Sequence, residues 1–278
     1  MAIFNKTMKE THEEISLRHS EDNVSLPQIC RQERIVEMVQ NKGFISTDEL
    51  VSVFQVTPQT IRRDLNELDR QGLVLRHHGG ASLMASSTEN TDYQQRKQQL
   101  NEEKQAIAKR LATRIPDGAS LFINIGTTTE AVAHHLLGHS RLKVITNNLH
   151  VAAILLKKSD FTVIIAGGEV RNRDGGIVSQ ATRDFINQFY VDYAIIGISG
   201  INTDGALLDY DYQEVRVAQA MTANAKHTLL AADHSKFGRN AMVRMGNLKH
   251  IDALFTDRNP PDLLTQYIQE SHTELVVC

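Results

Sequence analysis

The stretch TPQTIRRDLNEL at residues 57–68, followed by LVLRHHGGA at 73–81, reads as a helix that runs on into a β-hairpin. Thr57 offers a hydroxyl to the free amides of a first turn, and Pro58 stands where a missing N–H removes nothing. At 100° per residue Ile61, Leu65 and Leu68 share one face, leaving Gln59, Arg63, Asn66 and Arg70 opposite, with Thr60 and Arg62 beside them. Upstream, Ser46 and Glu49 have the spacing of a capping box for a preceding helix with Leu50 and Phe54, and Gly43 closes an earlier one carrying Ile35 and Val39. Only Gln55 and Val56 separate the second helix from the third, so the chain turns sharply there. Downstream, Leu73, Val74 and Leu75 form a strand that turns at Gly79 and Gly80. Three short helices and a hairpin predict a winged helix-turn-helix over 28–83.

The outer face of the third helix is rich in groups that read base edges. Arginine pairs bidentately with guanine, glutamine and asparagine with adenine, and early residues of such a helix reach into the major groove. An ordinary solvated amphipathic helix shows the same periodicity, and Asp64, Glu67 and Asp69 dilute the positive charge. The net charge of -3 names no nucleic-acid partner through bulk electrostatics, so a DNA reading rests on local arrangement.

Beyond the hairpin, MASSTENTD at 84–92 is small and polar, and a linker is predicted over 84–100. A helix from Asn101 to Ile115 opens a second domain, 101–278. Apolar runs at Leu121–Ile125, Lys143–Thr146, Thr162–Ala166, Tyr193–Ile198, Thr228–Ala232 and Ala253–Thr256 alternate there with helical segments. That alternation predicts an α/β fold on a mostly parallel, doubly wound sheet, whose ligands bind beyond the carboxyl ends of the strands. Gly126, Thr127, Thr128 and Thr129 join the first strand to a helix; their amides and hydroxyls suit a phosphate, although the same pattern starts helices that hold nothing. Asn147, Gly168, Ser199 and the run Asp233-His234-Ser235-Lys236 each follow a later strand end. No Walker A lysine follows Gly126 and no GxGxxG occurs, which disfavours a nucleotide cofactor. His135 and His139 are four apart, but Gly138 ends the helix between them and the helix dipole favours histidine at such an end, so no metal is predicted.

A length of 278 residues suits two units of unequal size, and 41% apolar with 23% charged residues is ordinary globular composition. Cys30 and Cys278, near opposite ends, form no disulfide framework, and no apolar run reaches the roughly 18–20 residues of a membrane span. A cytoplasmic protein without a membrane partner is predicted. Residues 1–27 hold Glu10, Glu13, Glu14, Glu21 and Asp22, which argues against an acid-poor targeting peptide and predicts a disordered tail, or else residues upstream of a start codon assigned too early.

Residues 31–80, above all 57–68 and 73–81, resemble the N-terminal domain of the DeoR family of bacterial sugar-metabolism repressors. Gly126–Thr129, Thr146-Asn147-Asn148, Gly167-Gly168-Glu169, Gly197-Ile198-Ser199-Gly200 and Asp233–Lys236 resemble, in this order, that family's sensor domain, which is related to ribose-5-phosphate isomerase-like enzymes. The resemblance implies a repressor of a carbon-metabolism regulon, a homodimer or homotetramer on double-stranded operator DNA. Release by a small phosphorylated metabolite, glycerol-3-phosphate or a sugar phosphate, is implied with it. By position it sets Thr60, Arg62 and Arg63 on the DNA, Asp64 in a supporting role, and Arg76, His77 and His78 on the wing, where the histidines also suit plain surface positions. Gln59 and Asn66 join these candidates from the polar face. For the effector it implies Gly126 to Thr129 and Lys236 around the phosphate, with Asn147, Gly168, Ser199, Asp209 and Glu214 lining the rest. Two departures bear on which compound fits: Asn124 stands where the family usually has aspartate, and Thr129 replaces a proline common in some members.

The alternative is a sugar-phosphate isomerase with a DNA-binding-like extension, which requires a positioned carboxylate base. In the related isomerases acidic residues follow the glycine of the strand that here reads Ile196-Gly197-Ile198-Ser199. Ile198 and Ser199 stand there instead, with Asp204, Asp209 and Asp211 downstream. The reading is therefore a regulator and not an enzyme.

Overall fold

A computed structural model describes residues 27–42, 44–77, 79–83, 90 and 92–278. The predicted tail lies outside the described residues except for Pro27, as do Gly43, His78 and, within the predicted linker, 84–89 and 91.

The N-terminal module runs α1 (Gln28–Lys42), β1 (Phe44–Ser46), α2 (Thr47–Phe54) and α3 (Pro58–Arg70), then a hairpin of β2 (Val74–His77) and β3 (Gly80–Leu83). Its antiparallel sheet has the order β1-β3-β2, and β1 is an addition to what the sequence predicts. Both caps form. Ser46 Oγ accepts from the Glu49 amide at 3.1 Å and Thr57 Oγ1 from that of Thr60 at 3.2 Å. Between the helices Gln55 adopts the left-handed conformation (φ 51°), which makes the turn tight. Ile35, Val39, Leu50, Ile61, Leu65 and Leu68 are buried beneath it, each contributing about 1.5–3 kcal/mol.

A buried ion pair ties α1 to α3. Asp64, 1% exposed, accepts from Arg31 Nε at 2.5 Å and from Gln32 Nε2 at 3.3 Å. Placing the one acidic residue of that turn inward leaves the outward face to uncharged and basic groups.

The predicted linker contains a helix, α4 (Tyr93–Gln98), absent from the sequence expectation. There follow α5 (Asn101–Ala112), β4 (Ser120–Ile123), α6 (Thr127–Leu136), β5 (Lys143–Thr146), α7 (Leu149–Leu155) and β6 (Thr162–Ile165). A small hairpin, β7 (Val170–Arg171) and β8 (Gly176–Ile177), leads to α8 (Gln180–Ile186) and β9 (Val191–Gly197). Then come β10 (Gly200–Ile201), β11 (Ala206–Asp209), α9 (Tyr212–Ala223), β12 (Ala225–Ala231), β13 (Val243–Asn247), β14 (Ala253–Thr256), α10 (Asp262–Glu270) and β15 (Glu274–Val277).

Seven of these strands form one sheet in the order β15-β14-β12-β9-β4-β5-β6, parallel at every junction. Alternate residues of each strand enter opposite cores. Leu121, Ile123, Val144 and Ile195 pack with Ile107, Val132 and Val151 of α5, α6 and α7. Phe122, Ile145, Ile196 and Leu230 pack with Ile186, Met221 and Ile268 of α8, α9 and α10. The sheet is therefore doubly wound, as predicted. An antiparallel β10-β11-β13 sheet flanks it.

Asp64→Ala strands the Arg31 guanidinium in the core of the N-terminal module. A loss of about 3–5 kcal/mol is expected in its unfolding free energy, read by urea titration of the full chain. A change under about 1 kcal/mol would show the pair to be dispensable.

Candidate functional site

The sheet order places the site. From β4 the strands β5 and β6 extend one way, and from β9 the strands β12, β14 and β15 extend the other, so the order reverses between β4 and β9. At such a switch point neighbouring connections leave on opposite faces and a crevice opens beyond the carboxyl ends. Here it is lined by Ile125, Gly126, Thr127 and Thr128 after β4, Gly197 at the end of β9 with Ile198 and Ser199 beyond it, and Lys236 after β12. Asp209, Glu214 and Arg96 complete the wall.

Donors converge on this cleft. The first bonded amide of α6 is that of Glu130, which donates to the Gly126 carbonyl at 3.0 Å. The amides of Thr127, Thr128 and Thr129 are thus left over at the positive end of the helix dipole. Lys236 ends a single 3-10 turn, His234–Lys236, capped by Asp233 Oδ1 on the Ser235 amide at 3.1 Å. Asp257 pins that turn, its Oδ2 2.5 Å from His234 Nδ1 and its Oδ1 accepting from the His234 amide at 2.7 Å. Burial pushes the Lys236 ammonium down to about 8; Asp233 opposes that fall, and the charges of Arg239, Lys104 and Arg96 add to it.

The carboxylates of the cleft are held by other groups. Asp209 accepts from Ser199 Oγ at 3.0 Å and the Tyr210 amide at 2.7 Å, while Glu214 accepts from Arg171 Nη2 at 2.7 Å. Burial raises both carboxyls, and with Asp209 beside it Glu214 is pushed up to about 7. Arg171 also grips Asp174 with two bonds of 2.8 and 2.7 Å.

Three residues expected to line the cleft serve its scaffold instead. Thr129 is fully buried and donates its hydroxyl to the carbonyls of Asn124 and Gly126 at 2.9 and 2.8 Å. Asn147, 1% exposed, donates its amide to the Ile177 carbonyl at 3.0 Å and so clamps β8. Gly168 permits a close approach: a Cβ there would stand 2.6 Å from Thr182 Oγ1 and 2.9 Å from Ile177 Cγ2, at φ +148°. Arg96 and Arg171 were not foreseen. Arg171 ends the two-residue strand β7, outside the parallel sheet whose strand ends guided the expectation, and α4 shows no apolar periodicity that would have marked Arg96.

On the N-terminal module Gln59, Arg62, Arg63 and Asn66 are exposed along α3. Thr60 is half-buried, its Oγ1 2.9 Å from that of Thr57. Arg76, on β2, donates to Asn66 Oδ1 through its side chain and to Asp69 Oδ1 through its amide at 2.9 Å, which fixes the hairpin against the helix. His77 also lies on β2. Arg70 pairs with Glu67 at 2.7 Å.

A helix-turn-helix with an exposed polar reading face, followed by an α/β domain with a donor-lined cleft, defines the class of ligand-sensing DNA-binding regulators. Residues 31–87 match the DeoR-like helix-turn-helix domain and residues 99–258 the DeoR C terminal sensor domain, and the chain belongs to the DeoR family. It is 54% identical over 253 residues to the glycerol-3-phosphate regulon repressor of Escherichia coli (strain K12), covering 91% of this chain and 100% of that one. The repressor of the same description from Haemophilus influenzae is 50% identical, covering 91% and 98%. Among solved structures, ribose 5-phosphate isomerase A from Methanocaldococcus jannaschii overlaps 49% of this chain and 54% of its own, at TM-score 0.37 and 14% identity.

Gly168→Ala is expected to cost about 1–3 kcal/mol of stability through the clash with Thr182 and Ile177, without touching the cleft donors. Thermal unfolding measures the cost. A variant as stable as the parent would mean that β7 and β8 yield to the added methyl.

Proposed function

We propose that this chain represses a carbon-metabolism regulon. It holds double-stranded operator DNA through α3 and the hairpin, and releases it when glycerol-3-phosphate or a similar small phosphate monoester fills the cleft. The observation that carries the effector half is the convergence of Lys236 with the free amides of Thr127 and Thr128. A dipole end and a point charge together suit a dianion. Ser199, Asp209 and Glu214 then face the polyol, where carboxylates accept from hydroxyls. These carboxylates are engaged by Ser199, Tyr210 and Arg171, which fits recognition better than the proton transfer an isomerase performs. The names of the relatives point the same way, to repressors of a glycerol-3-phosphate regulon.

For the DNA half, Gln59, Thr60, Arg62, Arg63 and Asn66 read base edges or phosphates, and Arg76, His77 and His78 follow the backbone from the wing. The working unit in this reading is a cytoplasmic homodimer or homotetramer, because two reading helices set one helical turn apart fit an inverted repeat. Effector lowers operator affinity to the extent that it binds the DNA-free arrangement better.

Arg63→Ala is expected to weaken operator binding by about 1–3 kcal/mol with unfolding unchanged. Titration of an inverted-repeat duplex reads both the loss and the number of protomers bound. Equal affinity of variant and parent removes Arg63 from the reading set, and one protomer per duplex removes the dimer.

The cleft predicts a pH profile. A phosphate monoester becomes mainly dianionic above about pH 6. Glu214 gains a negative charge above about 7 and Lys236 loses its positive charge above about 8. Glycerol-3-phosphate affinity, measured by calorimetry, should therefore be greatest between these limits and fall towards pH 9. Lys236→Met, which keeps the stem and removes the charge, should leave operator binding intact, abolish release by effector and flatten the alkaline limb. A parent profile unchanged from pH 7 to 9 excludes Lys236 as a phosphate ligand.

A further inference from the structure

The segment that joins the two domains runs across the cleft. Asn90 donates to Ser199 Oγ at 3.4 Å and accepts from Arg239 Nη2 at 3.0 Å, linking the β9 end of the cleft to the loop that follows Lys236. Tyr93, 6% exposed, donates to Glu130 Oε2 on α6 at 2.9 Å and stacks on His150 with ring centroids 5.2 Å apart. At the other end of α4 the buried ammonium of Lys104 donates to the carbonyls of Arg96 and Gln99, the latter at 2.6 Å. Between these anchors Arg96 projects into the cleft wall beside Thr127, Thr128 and Lys236, its side chain 17% exposed.

Arg96 forms a long ion pair with Asp174 Oδ2 at 3.9 Å, and Asp174 also receives two bonds from Arg171. A guanidinium presents its donors in a planar fork that matches two phosphate oxygens, whereas an ammonium supplies a point charge. The cleft has the ammonium in Lys236 and the dipole in α6; the fork comes from the interdomain helix.

We infer that Arg96 is a ligand of the effector's phosphate, which makes the interdomain segment part of the effector site. This rests on the cleft reading proposed above. An anion held jointly by Arg96, Lys236 and the α6 amides draws α4 onto the sensor domain. In sequence the same segment continues directly from β3, the last strand of the DNA-reading module. Signal and recognition thereby share one covalent segment, with no relay through the sheet.

The test uses the full-length protein, glycerol-3-phosphate as the probe, calorimetry for affinity, and hydrogen exchange of the amides at 93–99 with and without it. Arg96→Met should weaken binding about ten- to a hundredfold, the effect of losing a charge-assisted bond, with Arg96→Lys recovering part of the loss. Protection at 93–99 should rise on binding in the parent. Parent-like affinity in Arg96→Met overturns the inference and leaves the cleft reading standing; a parent that binds no phosphate monoester overturns both. If Arg96→Met does not fold, exchange in the parent decides: added protection at 93–99 supports the inference, and unchanged exchange overturns it.

Discussion

Lys236 holds a positive charge where water scarcely reaches it, 3.9 Å from an Asp233 carboxylate that is itself fully buried. Among the described residues Asp233 Oδ2 has no hydrogen-bond partner, so the pair is joined by charge at a distance and not by a tight bond. Burial acts on Lys104 in the same direction as on Lys236. Each cation also feels Arg96, and Lys236 feels Arg239 as well. Burial works against the charged forms of such a cluster, and Asp233 offsets only part of that cost. An anion in the cleft relieves that repulsion and stabilises the state that holds it, which is the thermodynamic root of sensing by linkage. The parallel sheet makes the cluster possible, by delivering the ends of β4, β9 and β12 to one rim.

The N-terminal module solves the opposite problem, that of keeping charge outside and available. Asp64, Glu67 and Asp69 dilute the reading helix when counted along the sequence. In the fold Asp64 turns inward to Arg31, Glu67 is taken by Arg70 and Gln71, and Asp69 accepts from the Arg76 amide. Each acid is matched locally, so the stretch from Gln59 to Arg63 presents a more basic face than composition suggests. The net charge of -3 thus says little about what the helix can approach.

The sequence made the module and the sheet legible because both depend on periodicity and caps. Thr57, Pro58, Ser46 and Glu49 mark helix starts through local bonds alone, and strands buried on both faces read as apolar runs. Elements with few residues and no apolar run escaped. β15 has four residues with only Val276 buried, and β10 has two. α4 reads YQQRKQ, whose one buried member is Tyr93, so nothing in its pattern separates it from a polar linker. Arg96 was missed with it. The errors at Thr129, Asn147 and Gly168 share one cause: proximity to a strand end in sequence does not say whether a side chain turns toward the crevice or back into the wall.

The two departures from the family pattern meet in that wall. Asn124 donates its amide to the Gly197 carbonyl at 3.2 Å and accepts from the Gly197 amide at 2.8 Å, crossing from β4 to β9 at the switch point. A carboxylate there accepts but cannot donate, so asparagine satisfies both backbone groups at any pH. Thr129 donates to the Asn124 carbonyl at 2.9 Å and thereby fixes the same residue from the helix side, a bond that proline cannot make. The two substitutions are therefore one structural unit behind Gly126. Neither side chain lines the cleft. What they alter is how β4, β9 and the start of α6 are held together, while Thr127, Thr128 and Lys236 remain on the cleft side of that wall.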